Sequence, residues 1–123
     1  MSVIDELKAL SKKYDMRPDH FHKDPRGFVI MTRRRVEHVQ AKIKAVVTFE
    51  TVPEWSDPMN NRYCVKAYGK CKIGQVETYG EVSKTNNRNA YPIAMAEKRA
   101  LSRAILKLAG FYQLEVYGED ELE

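Results

Sequence analysis

An α+β fold is what this sequence predicts, on three observations: two alternating runs joined by a short turn, one long helical pattern bounded by proline and glycine, and shorter amphipathic segments ahead of them. The alternating runs are 63–72 and 75–83. Successive strand side chains point to opposite faces. Tyr63, Val65, Ala67, Gly69 and Cys71 therefore share a small, apolar face, while Cys64, Lys66, Tyr68, Lys70 and Lys72 share a basic one. A two-residue turn at Ile73 and Gly74 sets Lys72 opposite Gln75, Lys70 opposite Glu77, Tyr68 opposite Tyr79 and Lys66 opposite Glu81. Small residues at Ala67, Gly69 and Gly80 leave room for a helix to approach.

That helix is Pro92–Ala109, since proline suits a first turn and Gly110 follows the last one. Ile93, Ala94, Ala100, Leu101, Ala104, Ile105 and Leu108 form a broad apolar arc. Arg99, Arg103 and Lys107 recur every fourth residue as a basic stripe beside it, with Lys98 on the other flank. Met95 and Leu106 stand on the otherwise polar side, where a subunit contact would use them. The expected architecture is an antiparallel sheet of about four strands, centred on the hairpin and packed against this C-terminal helix, with additional N-terminal helices.

Ahead of the hairpin, Ser2 and Asp5 mark a helix start, and Ile4, Leu7, Leu10 and Tyr14 give that helix one apolar face. Residues 15–26 read as a loop. Its Asp19, His20, His22 and Asp24 invite a metal reading, and a nuclease or other metal enzyme built on Asp19, His20, His22 and distant acids is a third alternative. Two histidines without a third ligand at a fixed spacing do not make a zinc signature, so no metal is assigned. Residues 27–31 read as a short buried strand, followed by helix Arg33–Ile43 with Thr32 as cap and Val36, Val39 and Ile43 facing inward. Arg33, Arg34 and Arg35 open that helix at the positive end of its dipole, so an anion there would explain them better than helix design does. Residues 44–52 form a β-branched strand with Phe49 as an internal anchor. Trp55, in a mobile loop over 53–61, reads as a core contact rather than a stacking platform, because Glu54 and Asp57 beside it would repel phosphate. Residues 84–91 read as a flexible basic loop carrying Arg88. Phe111, Tyr112, Leu114 and Val116 offer a last docked segment, which closes a single domain over 1–117 and leaves 118–123 as a disordered acidic tail.

The 123 residues suit one domain with a modest core, and 43% hydrophobic with 31% charged residues is a soluble globular balance. No apolar run approaches membrane-spanning length, and no secretory leader is visible, so a cytoplasmic address is expected. Cys64 and Cys71 face opposite ways on one strand and read as free thiols. No phosphate-binding glycine loop, catalytic carboxylate pair or activated nucleophile is recognisable, so neither an enzyme nor a cofactor is expected. The net charge of +4 conceals an asymmetry: residues 33–107 carry fifteen Lys and Arg against seven acids, a balance of +8, whereas 112–123 carry five acids and no base. A basic body with an acidic end points to a polyanion partner.

Lysines can follow a phosphate backbone, and tyrosine rings can stack on unpaired bases of any identity. Lys66, Tyr68, Lys70, Lys72 and Tyr79 thus read as a single-strand-binding face, with Arg33, Arg34, Arg35, Arg88, Lys98, Arg99 and Arg103 as further cationic contacts. The competing reading is the wet face of an ordinary antiparallel sheet. A resemblance bears on the choice. Val65, Ala67, Gly69, Gly74, Val76, Thr78, Tyr79, Gly80 and Glu81, followed by Ala96, Glu97, Lys98, Arg99, Ala100, Leu101, Arg103, Ala104, Gly110 and Phe111, resemble a signature of the single-strand-annealing recombinases and of small phage single-stranded-DNA-binding proteins. The resemblance implies a β-β-β-α core, a homo-oligomer, action in phage replication or recombination with possible annealing, and DNA held by Lys98, Arg99, Arg103 and the hairpin. RNA stays open as the strand. The acidic end is similar in charge to tails by which bacterial single-strand-binding proteins recruit replication partners. The alternative function is an oligomerisation or protein-interaction module without nucleic acid.

Overall fold

The structure is a computed structural model that describes residues 3–84, 86 and 90–121. It is an α+β protein of three helices and two small sheets. In chain order the elements are α1 (Val3–Lys13), β1 (Phe21–Lys23), β2 (Val29–Met31), α2 (Arg33–Ile43), β3 (Val46–Thr51), β4 (Tyr63–Cys71), β5 (Gly74–Val82), α3 (Pro92–Ala109) and β6 (Val116–Gly118), with short 3-10 turns between them. The expected Ser2 cap lies outside the described residues.

The strands do not form one continuous sheet. β3, β4 and β5 make an antiparallel sheet in that order, whereas β1, β2 and β6 make a second, mixed one in which β2 and β6 run parallel. The strand expected over 27–31 forms as Val29–Met31 and pairs with β6 near the end of the chain rather than with the hairpin. β1 also falls inside the stretch expected to be loop, where the run Phe21, His22, Lys23 pairs with Met31, Ile30 and Val29.

Helix α3 lies across the inner face of the larger sheet, and small residues set how closely it approaches. A Cβ at Gly80 would strike the carbonyl oxygen of Ala96 and the nitrogen of Ala100. Thr78, buried beside it, donates its hydroxyl to the Ala100 carbonyl at 2.7 Å. Ala67, Ala100 and Ala104 fill the middle of this contact. Gly110 ends α3 in the left-handed region at φ 90°, a conformation that favours glycine.

The main core forms on the far end of α3, where Ile105, Leu106, Leu108 and Ala109 meet Tyr14, Met31, Val36, Val39, Phe111 and Val116. Phe111 is wholly buried, its ring 5.9 Å from that of Tyr14 and 6.1 Å from that of Phe21. Leu106 belongs to this core and is unavailable for a subunit contact, and Met95 packs beside Val65, Val82 and Ala96. Because two layers flank α3, a second side of the helix is buried.

The hairpin register is two residues away from the expected one. Lys72 and Ile73 form the turn, Cys71 pairs with Gly74, Lys70 with Gln75, Tyr68 with Glu77, Lys66 with Tyr79 and Cys64 with Glu81. Neither turn residue has a positive φ, so the glycine is not needed in the turn and opens β5 instead. A two-residue slip leaves every side chain on its predicted face, so patterning alone could not distinguish the two registers.

Candidate nucleic-acid interface

The larger sheet turns its other face away from α3. The register places Val46, Thr48 and Glu50 of β3, Lys70, Tyr68, Lys66 and Cys64 of β4, and Gln75, Glu77, Tyr79 and Glu81 of β5 on that outer face. Tyr68, Tyr79, Lys66 and Lys70 are thus brought together as expected, and Lys72 stands exposed in the turn beyond them. The charge is not as expected. Pairing with β3 adds Glu50 beside Lys66, and Lys66 Nζ lies 3.4 Å from Glu77 Oε2. The face is therefore a mixed one rather than a basic strip, because the sign of a sheet face depends on all its strands.

What it carries instead is a row of rings interleaved with a cation. Lys66 Nζ lies 4.9 Å from the Tyr68 ring centre and 5.6 Å from that of Tyr79, within cation–π range. The Tyr68 hydroxyl and Glu77 hold the Lys66 ammonium above the ordinary lysine range. Tyr68 in turn donates its hydroxyl to Glu50 Oε2 at 2.9 Å, an interaction that raises the phenol above its usual value.

Trp55 extends the row. Its ring centre is 5.5 Å from that of Tyr79, and the residue is 62% exposed, so the core contact expected for it is not made. The segment that holds it is fastened to the sheet rather than loose. Ser56 Oγ donates to the Val52 carbonyl at 2.8 Å and accepts the Cys64 N–H at 3.1 Å, while Asp57 and Arg62 exchange backbone bonds of 2.7 and 2.9 Å. These bonds bury Cys64 and lay the segment over that end of the outer face. Prolines at the start of both 3-10 turns cannot donate to a ladder, which suits a crossing segment. Beside Trp55 a cavity of about 630 Å³ opens, its lining including Arg62, Glu81, Ser83 and Asn86. Phe49, expected as an internal anchor, is partly exposed on edge strand β3, because α3 lies mainly under β4 and β5.

Two arginines expected to hold phosphate are committed elsewhere. Arg99 is 2% exposed. Its Nε donates to the Asp120 carbonyl at 2.8 Å, Nη1 to the carbonyl of Glu81 at 2.8 Å and to Asn86 Oδ1 at 3.1 Å, and Nη2 to the Asn86 carbonyl at 2.6 Å. It ties β5, the loop after it and the chain end to α3. Arg103 donates from Nε to Glu121 Oε1 at 3.0 Å and from Nη1 to the Tyr79 carbonyl, with Glu81 Oε2 3.3 Å away. Lys98 is half-buried, and Arg88 lies outside the described residues.

The acidic end is folded where described, contrary to the expected disordered tail. Glu119–Glu121 form a 3-10 turn after β6. Glu119 Oε1 accepts the backbone N–H of Arg33 at 2.7 Å, and Glu121 Oε2 accepts the N–H of Gly118 at 2.6 Å. The anion anticipated at the start of α2 is thus the protein's own carboxylate. Arg33 also lies 3.9 Å from Glu37, one turn on; Arg34 is exposed and Arg35 half-buried. Thr32 is the N-cap residue of α2, but its side chain makes no capping bond.

Elsewhere, His20 is buried and its Nδ1 accepts the Arg17 N–H at 3.1 Å, while His22 is exposed on β1. Among the described residues no three His, Cys, Asp or Glu side chains gather as a metal site, and no helix is long and apolar enough to cross a membrane. No protein-family model matches the chain, and no curated protein or solved structure matches it. What stands defined is the class: an α+β protein whose larger sheet turns an aromatic-bearing face away from α3, with the Trp55 segment laid over one end of it.

Proposed function

We propose that this protein binds single-stranded DNA without sequence preference, in replication or recombination, with its outer sheet face as the binding surface. The observation that carries the reading is the row Trp55, Tyr79, Lys66, Tyr68, in which Trp55 and Tyr79 are exposed and Lys66 and Tyr68 half-buried. Two neighbouring aromatic rings, Trp55 and Tyr79, are left in water on an otherwise polar face with their planes tilted by 44°, and such rings offer π-faces that any base can use. Lys70 and Lys72 continue the row toward the turn, and Arg33, Arg34 and Arg62 supply exposed cations elsewhere. The strand would lie across the sheet, bases toward the rings and phosphates toward the lysines. With Glu50 and Glu77 on the same face, stacking contributes more than charge.

Trp55 is the only tryptophan, so its fluorescence reports the proposed contact directly. Titration with oligo-dT should quench it and saturate at lower concentration than a duplex of equal length. Absence of quenching, or a preference for duplex, would remove the reading.

A second reading, a protein-interaction module, draws on β3. That strand pairs only with β4 among the described residues and leaves Val46 67% exposed. An open edge is a template for pairing with another chain. Association of copies through it is compatible with DNA binding, and sedimentation without DNA separates the two: a stable oligomer that ignores oligo-dT would favour the module alone.

A further inference from the structure

We propose that the C-terminal acidic turn is an internal stand-in for phosphodiester groups: its carboxylates occupy a cationic track, formed by the start of α2 and by Arg103 of α3, that a single strand takes when the turn lifts. This rests on the single-strand reading above and assigns to it a second binding track and a means of control.

The turn presents its acids to the donors a phosphate would use. Glu119 sits on the backbone N–H of Arg33 at the start of α2, an eleven-residue helix with three arginines and no acid in its first turn. A helix start of that kind favours an anion. Glu121, its side chain 3% exposed, lies on the Arg103 guanidinium. Between them Asp120 contributes its carbonyl to Arg99, while its carboxylate oxygen Oδ2 is buried with no hydrogen-bond partner among the described residues. Carboxylate and phosphate oxygens accept the same guanidinium and amide donors in the same charge-assisted bonds.

Position links this track to the exposed rings. Arg103 donates to the Tyr79 carbonyl and lies within reach of Glu81, so its guanidinium stands at the edge of the strand whose Tyr79 ring meets Trp55. With the turn in place, the start of α2 and Arg103 beside β5 are each engaged by one of its acids, Glu119 and Glu121. With the turn lifted, they join into one path leading from the outer face around the β5 edge. The buried, unpartnered Asp120 oxygen is a cost that the docked turn carries, since a buried polar group without a partner weakens what holds it.

The test is fluorescence anisotropy of labelled oligo-dT at two salt concentrations with the parent protein, E119Q/E121Q, and E119Q/E121Q/R103Q. The double variant should bind at least about three-fold tighter, with a salt slope steeper by about 0.7 for each added phosphate contact, and R103Q should reverse much of that gain. Equal or weaker binding by a double variant that still melts cooperatively would overturn the proposal while leaving the outer face standing. Should that variant not fold, hydrogen exchange on the parent decides: oligo-dT should speed exchange of the amides of residues 116–121, and unchanged or slower exchange overturns the inference. Failure of parent and variant alike to bind oligo-dT removes the single-strand reading and this inference together.

Discussion

Arg99 and Trp55 exchange the roles their neighbours in sequence suggest for them. The arginine lies in a basic stripe yet is sealed under the chain end, bonded to three carbonyls and an amide oxygen. Arg99→Met should therefore act on stability: stranding those acceptors and losing a buried guanidinium costs about 3–5 kcal/mol, read as a lower denaturation midpoint. Arg99→Lys should recover little, because one ammonium cannot reach acceptors on three segments. Trp55, by contrast, lies among acids and is exposed. Trp55→Ala should leave the melting temperature nearly unchanged and weaken oligo-dT binding by about 1–3 kcal/mol. A reversed pattern for the pair would show that both assignments are wrong.

At the scale of elements, the contact between the hairpin and α3 is decided by backbone proximity. Gly80→Ala places a methyl group against two backbone atoms of α3, and neither can rotate away. The helix must shift as a body, so a loss of about 1–3 kcal/mol is expected, measured by chemical denaturation. An unchanged midpoint would mean that α3 does not lie on β5 as described. The outer face of the same hairpin answers to a different measurement. Lys70→Gln with Lys72→Gln removes two exposed cations that make no ion pair among the described residues, so the fold should hold while the salt slope of oligo-dT binding falls by about 1.4. A slope equal to the parent's would move the phosphates off this face.

For the whole molecule, the informative variable is pH, because the chain closes on itself through acids placed among buried groups. Burial, with Glu119 beside it, pushes the Asp120 carboxyl above its ordinary value of 3.8, against the pull of Arg33, Lys98 and Arg99. A carboxyl raised on folding binds its proton more tightly in the native state. It therefore adds stability below the unfolded value, and that contribution is lost as pH climbs through the raised one. Asp120→Asn removes the titration. The melting temperature of the variant relative to the parent should consequently rise as pH is taken from about 4 to about 7. A constant difference would place Asp120 in water instead.

Much of this architecture could be read from residue order. Pro92 and Gly110 bounded α3 correctly because helix starts and stops are local backbone chemistry, and alternation assigned each hairpin residue to its proper face because a strand has period two. The hairpin register could not be read, since a slip of two preserves that alternation. The outer face looked basic because Lys66, Lys70 and Lys72 share one alternating run, whereas Glu50 arrives from β3, an earlier strand. Arg99, Arg103 and the acidic turn posed the same difficulty: charge is visible in sequence, but its partner is not. Local periodicity and terminus signals thus determined the helices, strands β2 to β5 and the two faces of the hairpin, but not β1 or β6. Only the tertiary structure decided which charges cancel, which arginines are buried and which aromatic rings remain in water, because those outcomes depend on groups distant in sequence meeting in space.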